Sequence, residues 1–182
     1  SAAASLAAAI PGNLGLYAAG SDTIRIGVIG CGGRGTGATV DAVNSSPGVE
    51  ILALFDPFQD RIDGSLKTLR DKVPAALKVK PERCFTGLDG YQKLLAIKDI
   101  NYIVTAAPPG FRPIHLKAAV EAGKNVFMEK PVAVAAPGVR SVIESAALAE
   151  KKGLALVCGT QRRHDLAYLE AMKQIHDGAI GD

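Results

Sequence analysis

From Thr23 onward the chain alternates short β-branched runs with segments of helical period, and that alternation leaves few folds open to it. Parallel strands need a connection long enough to hold a helix. Six strand–helix repeats therefore predict one parallel sheet with right-handed crossovers, a doubly wound α/β fold. Strands are expected at Ile24–Ile29, Val49–Phe55, within 78–85, and at Tyr102–Ala106, Asn125–Met128 and Leu154–Cys158. The run VEILALF is apolar almost throughout, as suits a strand covered on both faces. Helices are expected over about 34–45, 59–70 and 90–96, from Pro113 to Gly123, up to Gly153, and from Asp165 to Asp177. Pro113 needs no amide partner in a first turn, and Asp165 is an N-cap residue. In the fifth helix Val139, Val142, Ile143, Ala146 and Ala147 recur at spacings of three and four, the pattern of one apolar face. Lys151 and Lys152 stand at its negative end and Gly153 stops it.

Composition narrows the class. The 182 residues are enough for one domain with a substantial core, and 48% hydrophobic with 21% charged residues is an ordinary globular balance. The net charge of +3 is small and its lysines and arginines are scattered, which argues against nucleic acid as a partner. Cys31, Cys84 and Cys158 show neither CxxC nor Cys/His ligand spacing, so reduced thiols and no metal site are expected. No run approaches the roughly 20 apolar residues of a membrane span. Residues 1–21, rich in Ala, are set apart from the folded unit, which is expected to be 22–182. Their pattern is either a flexible extension or the end of a secretory signal with its cleavage zone. The second reading makes the protein exported or periplasmic; the first leaves it cytoplasmic.

The chemistry begins at Gly30-Cys31-Gly32-Gly33-Arg34-Gly35, a GxGxxG that directly follows a predicted strand and opens a predicted helix. Gly30 serves a tight turn, Gly32 leaves room for a pyrophosphate, and Gly35 lets helix and strand approach. Gly33 and Arg34 lie at the helix amino end, whose free N–H groups and positive dipole suit phosphates. Asp56, twenty-one positions after Gly35 and at the end of the second strand, can accept hydrogen bonds from ribose hydroxyls and would repel a 2′-phosphate. NAD is therefore expected, with NADP the weaker alternative because Arg61 is near enough in sequence to meet a phosphate. A helix cap before Pro57 is the other use for Asp56.

Further along come Val104-Thr105-Ala106-Ala107-Pro108-Pro109, then His115, Glu121-Ala122-Gly123-Lys124, Glu129-Lys130-Pro131 and Gly159-Thr160-Gln161-Arg162-Arg163. In order and spacing the chain from Thr23 to Asp182 resembles the Gfo/Idh/MocA oxidoreductases, of the glucose–fructose oxidoreductase and inositol dehydrogenase type. The resemblance implies that Glu129 and Lys130 lie beside the nicotinamide, that Lys130 contacts the reacting hydroxyl, that Pro108 passes under the nicotinamide ribose, and that Lys130–Pro131 is cis. His115 reads mainly as a packed helix residue, and one of Arg162 and Arg163 as a contact to cofactor or substrate. The implied activity is hydride transfer between the coenzyme and a sugar, polyol or cyclitol hydroxyl, in a homo-oligomer. Two alternatives stand beside it: a glycosidase that retains NAD and oxidises C3 transiently, and a non-catalytic cofactor-binding module. Family members also carry a second α/β domain that completes the site. These 182 residues are accordingly expected to bind the dinucleotide and to turn over substrate poorly.

Overall fold

The computed structural model describes residues 23–181; the Ala-rich stretch set apart above lies outside them. Strands β1 (Ile24–Ile29), β2 (Val49–Phe55), β3 (Cys84–Phe85), β4 (Tyr102–Thr105), β5 (Asn125–Glu129) and β6 (Leu156–Gly159) form one sheet in the order β3-β2-β1-β4-β5-β6. Every pairing is parallel. Helices α1 (Gly33–Ser45), α2 (Gln59–Lys72), α3 (Gly90–Leu95), α4 (Arg112–Glu121), α5 (Ala136–Lys151) and α6 (Leu166–His176) alternate with the strands. The doubly wound α/β expectation holds, and most boundaries fall within two residues of it. Chain order reverses direction between β1 and β4, and in such sheets ligands bind in the crevice at the carboxyl ends of the strands there.

The two faces of the sheet carry separate cores. Ile26, Val28, Ile51 and Leu54 pack against Ala38 of α1 and Ile62 and Leu69 of α2. Ile29, Phe55, Ile103, Val126 and Met128 pack against Leu94 of α3, Leu116 and Ala119 of α4 and Ala149 of α5. Because β1, β2, β4 and β5 give side chains to both faces, their middle residues are apolar on both sides and do not alternate with polar ones.

The third strand is short and lies within 78–85, as expected. Leu77 makes only an isolated bridge to Ile51, and regular pairing is confined to Cys84 and Phe85. Pro81 starts a single 3-10 turn between them, which interrupts the ladder. The fifth helix departs from its sequence pattern. Ser145 and Ala149 are buried, whereas Val139 lies on the outer side and Ile143 is 63% exposed. Small residues suit the close approach of α5 to α4, so the apolar row at Val139 and Ile143 faces outward. Lys152 does not serve the end of its own helix: its ammonium donates to the carbonyls of Val120 and Glu121 at the end of α4. Asp165 caps α6 as expected, accepting from the amides of Ala167 and Tyr168.

Candidate functional site

β1 delivers the chain into the glycine loop at the switch point. Gly30 takes φ +93°, and a Cβ on it would stand 2.6 Å from the amide nitrogen of Ala107, so both the turn and the closeness of β4 require glycine. A Cβ at Gly35 would collide with the carbonyl oxygen of Gly30. Gly32 and Gly33 differ: among the described residues nothing lies within 4 Å of a Cβ at either. Gly32 is the N-cap of α1, and no side chain caps the amides that follow it. Those amides and the positive end of a 13-residue helix therefore face open space, the arrangement that receives an anion.

Asp56 directly follows β2 and is 8% exposed. Its Oδ2 accepts from the Cys31 amide at 2.9 Å and its Oδ1 from the Phe58 amide at 3.1 Å. The residue at the N-cap of α2 is Phe58 rather than Asp56. The carboxylate thus ties the glycine loop to the end of β2, and keeps lone pairs for two hydroxyls besides. A cleft of about 530 Å³ opens from here, walled by Gly32, Asp56, Phe58, Leu88, Pro108 and Phe111. Its mainly apolar walls, with a carboxylate at one side, suit a flat heteroaromatic base joined to a sugar. The residues present therefore fit a dinucleotide, with Gly32 and the α1 amides at the diphosphate position.

His115 closes the back of the cleft, 6% exposed and flanked by Tyr91, Phe55 and Phe111 at centroid distances of 4.7, 6.0 and 6.3 Å. Burial pushes its imidazole down to about 4, and its Nδ1 has no hydrogen-bond partner among the described residues. It is a packed residue, as its place in α4 suggested.

Glu129 ends β5 with 1% exposure. Its Oε1 takes a hydrogen bond from Arg34 Nε at 2.7 Å and lies 2.5 Å from Arg34 Nη2, while Oε2 accepts from the Lys130 amide at 3.2 Å. A Cβ at Gly159, its register partner on β6, would sit 2.8 Å from that same Oε1, so glycine makes room for the carboxylate. The Lys130–Pro131 bond is cis and the Lys130 side chain is exposed. The structure thus brings Gly30, Gly32, Gly33, Arg34, Gly35, Asp56, Pro108, Glu129 and Lys130 to the carboxyl edge of β1, β2, β4 and β5, but the charges of Arg34 and Glu129 are turned on each other.

Arg162 and Arg163 lie in a 3-10 turn after β6, where Arg162 stacks over Tyr168 at 5.2 Å. Arg112 is the side chain that sequence reasoning missed. It is buried and bridges the loops after β4 and β5. Its only sequence signal is a cation at a helix start beside Pro113. Among the described residues no helix is long and apolar enough to cross a membrane, and no group of three or more His, Cys, Asp or Glu could hold a metal.

This fold, with a glycine cradle at its switch point and an acid after its second strand, defines a dinucleotide-binding domain. Residues 24–160 match the family described as the oxidoreductase family with an NAD-binding Rossmann fold, and the chain belongs to that family. It is 31% identical over 169 residues to the glycosyl hydrolase family 109 protein 3 of Phocaeicola vulgatus, covering 93% of this chain and 29% of that protein. It is 31% identical over 160 residues to the inositol 2-dehydrogenase of Salmonella typhimurium, covering 87% and 43%. Among solved structures, myo-inositol 2-dehydrogenase from Lactobacillus plantarum superposes with a TM-score of 0.67 at 25% identity, over 88% of this chain and 43% of that one. The chain thus spans less than half the length of these relatives.

Proposed function

We propose that this chain is the coenzyme-holding part of an oxidoreductase acting on a hydroxyl of a sugar, polyol or cyclitol. The reading rests above all on the ion pair that fastens Glu129-Lys130-Pro131 to Arg34 of the glycine loop. Through it the motif carrying an exposed lysine is set against the edge of the coenzyme cradle. NAD, when bound, supplies the hydride acceptor. The open backbone at Gly32 and Gly33 and the amides of α1 hold the diphosphate; Asp56 holds a ribose; Pro108 lines the floor. The Lys130 ammonium stands beside the reacting hydroxyl and stabilises the oxyanion that develops as its carbon loses hydride. The proton of that hydroxyl leaves to a base, which the resemblance places in a second domain.

Two kinds of support bear on substrate class. Relatives are named inositol 2-dehydrogenases, which favours a cyclitol or polyol. Others are named glycosyl hydrolase family 109 proteins, which favours the second reading, a glycosidase that retains NAD. Incubating the full-length natural protein with NAD and with myo-inositol, glucose or nitrophenyl glycosides separates the two. Net NADH with a polyol or sugar supports dehydrogenation, and nitrophenol without net NADH supports the glycosidase. The Lys130→Met variant should lose about 100-fold or more in turnover with NAD affinity retained; a variant as fast as the parent overturns the role of Lys130. Assembly into homo-oligomers and an exported location belong to the same proposal, supported by the family resemblance and the Ala-rich start. Sedimentation and sequencing of the mature N-terminus test them.

A further inference from the structure

Arg112 breaks two local rules. It is the first residue of α4, where the helix dipole disfavours a cation, and it is 6% exposed. Burial pulls the proton affinity of its guanidinium below the ordinary value, and the neighbouring Glu129 carboxylate offsets that in part. Among the described residues no carboxylate is its hydrogen-bond partner. Nε donates to the carbonyl of Ala107 at 2.7 Å and Nη1 to the carbonyl of Pro131 at 2.5 Å. Two neutral carbonyls could be satisfied by neutral donors at lower desolvation cost, so a buried arginine there needs a reason in what it joins. Violations of this kind gather at functional sites.

What the guanidinium joins gives the reason. The Ala107 carbonyl immediately precedes Pro108, at the wall of the coenzyme cleft. The Pro131 carbonyl immediately follows Lys130. One rigid planar fork therefore spans the loop that lies under the coenzyme and the loop that carries the lysine, and a flexible ammonium would reproduce its geometry only in part. On the far side the Arg34–Glu129 pair holds the other end of the same loop. We propose that Arg112 is a positioning residue, one that holds the Lys130 loop in register with the coenzyme seat. This rests on the reading of Lys130 given above.

The test is Arg112→Gln and Arg112→Lys in the full chain, with lysines reductively methylated with carbon-13 and the Lys130 signal assigned by its loss in Lys130→Arg. In the parent, saturating NAD shifts the Lys130 signal. In Arg112→Gln, NAD affinity measured by calorimetry stays within about threefold of the parent, while the NAD-induced shift of Lys130 falls by half or more. Arg112→Lys recovers part of that shift and keeps the parental circular dichroism, which guards against a variant that fails to fold. Two results overturn the proposal in distinguishable ways. A folded Arg112 variant whose Lys130 responds to NAD as the parent does removes the role of Arg112 alone. A parent whose Lys130 does not respond to bound NAD removes the reading of Lys130 and this inference with it.

Discussion

Arg34 and Glu129, 95 positions apart in the chain, share an ion pair in which one carboxylate oxygen meets both Nε and Nη2 of the guanidinium. The glutamate is buried and the arginine side chain is 50% exposed, so solvent weakens the attraction at one end while the other has no alternative partner in water. The consequence is asymmetric. Removing the arginine leaves a buried charge, whereas removing the charge from the glutamate leaves a solvated arginine.

That asymmetry is measurable. Arg34→Met should lower stability by about 1–3 kcal/mol in urea unfolding, the cost of an unsatisfied buried group. Adding Glu129→Gln to it should restore part of the loss, giving a coupling energy well above zero. Losses of Arg34→Met and Glu129→Gln that simply add in the double variant would show that the two residues do not act as a pair.

The glycines of the loop should separate by what stands next to them. Gly35→Ala sets a methyl group against the Gly30 carbonyl and should cost about 1–3 kcal/mol in thermal unfolding. Gly32→Ala meets open space and should unfold like the parent, yet bind NAD at least about tenfold more weakly, or 1.4 kcal/mol, by calorimetry. If Gly32→Ala keeps parental affinity, the diphosphate does not lie there.

Asp56 has two tasks that a substitution can pull apart. Asp56→Asn keeps an oxygen able to accept from the Cys31 or Phe58 amide but removes the charge. It should retain most stability while narrowing the preference for NAD over NADP by about tenfold, because the repulsion of a 2′-phosphate is gone. Parallel titrations with the two coenzymes decide this, and an unchanged ratio would place discrimination elsewhere.

His115 predicts a pH dependence. Its native value of about 4 lies below the ordinary 6.5, so the unfolded chain binds more protons between those values. Stability should therefore be complete above about pH 6.5 and fall as pH drops toward 4, by on the order of 3 kcal/mol from this group. Urea midpoints for the parent and His115→Gln, compared across that window, isolate the term. Parallel curves would mean that the imidazole is solvated in the native state.

The strands and the cradle were legible in the sequence because their signals are local. A run such as 49–55 buries both faces whatever surrounds it, and the glycine pattern from Gly30 to Gly35 follows from how closely backbone must approach backbone. The exact pairing of the third strand and the buried side of the fifth helix were less legible. Pairing at Leu77 depends on whether Pro81 lets the ladder continue, and the buried side of α5 is set by how near α4 comes, which the spacing of Val139 and Ile143 does not report. Arg112 gave almost no signal, since its partners are backbone carbonyls and carbonyls have no letter in a sequence.

By itself, then, the amino-acid order determined the parallel doubly wound sheet, the glycine turn at its switch point and the acid after its second strand, because each depends on spacing within a few neighbouring residues. Only the tertiary structure decided that Arg34 and Glu129 neutralise each other, that Asp56 also secures the amide of Cys31, and that Arg112 spans the loops around Lys130. Those relations join residues far apart in the chain, and a charge or donor finds its partner only when folding removes water and leaves one neighbour within reach.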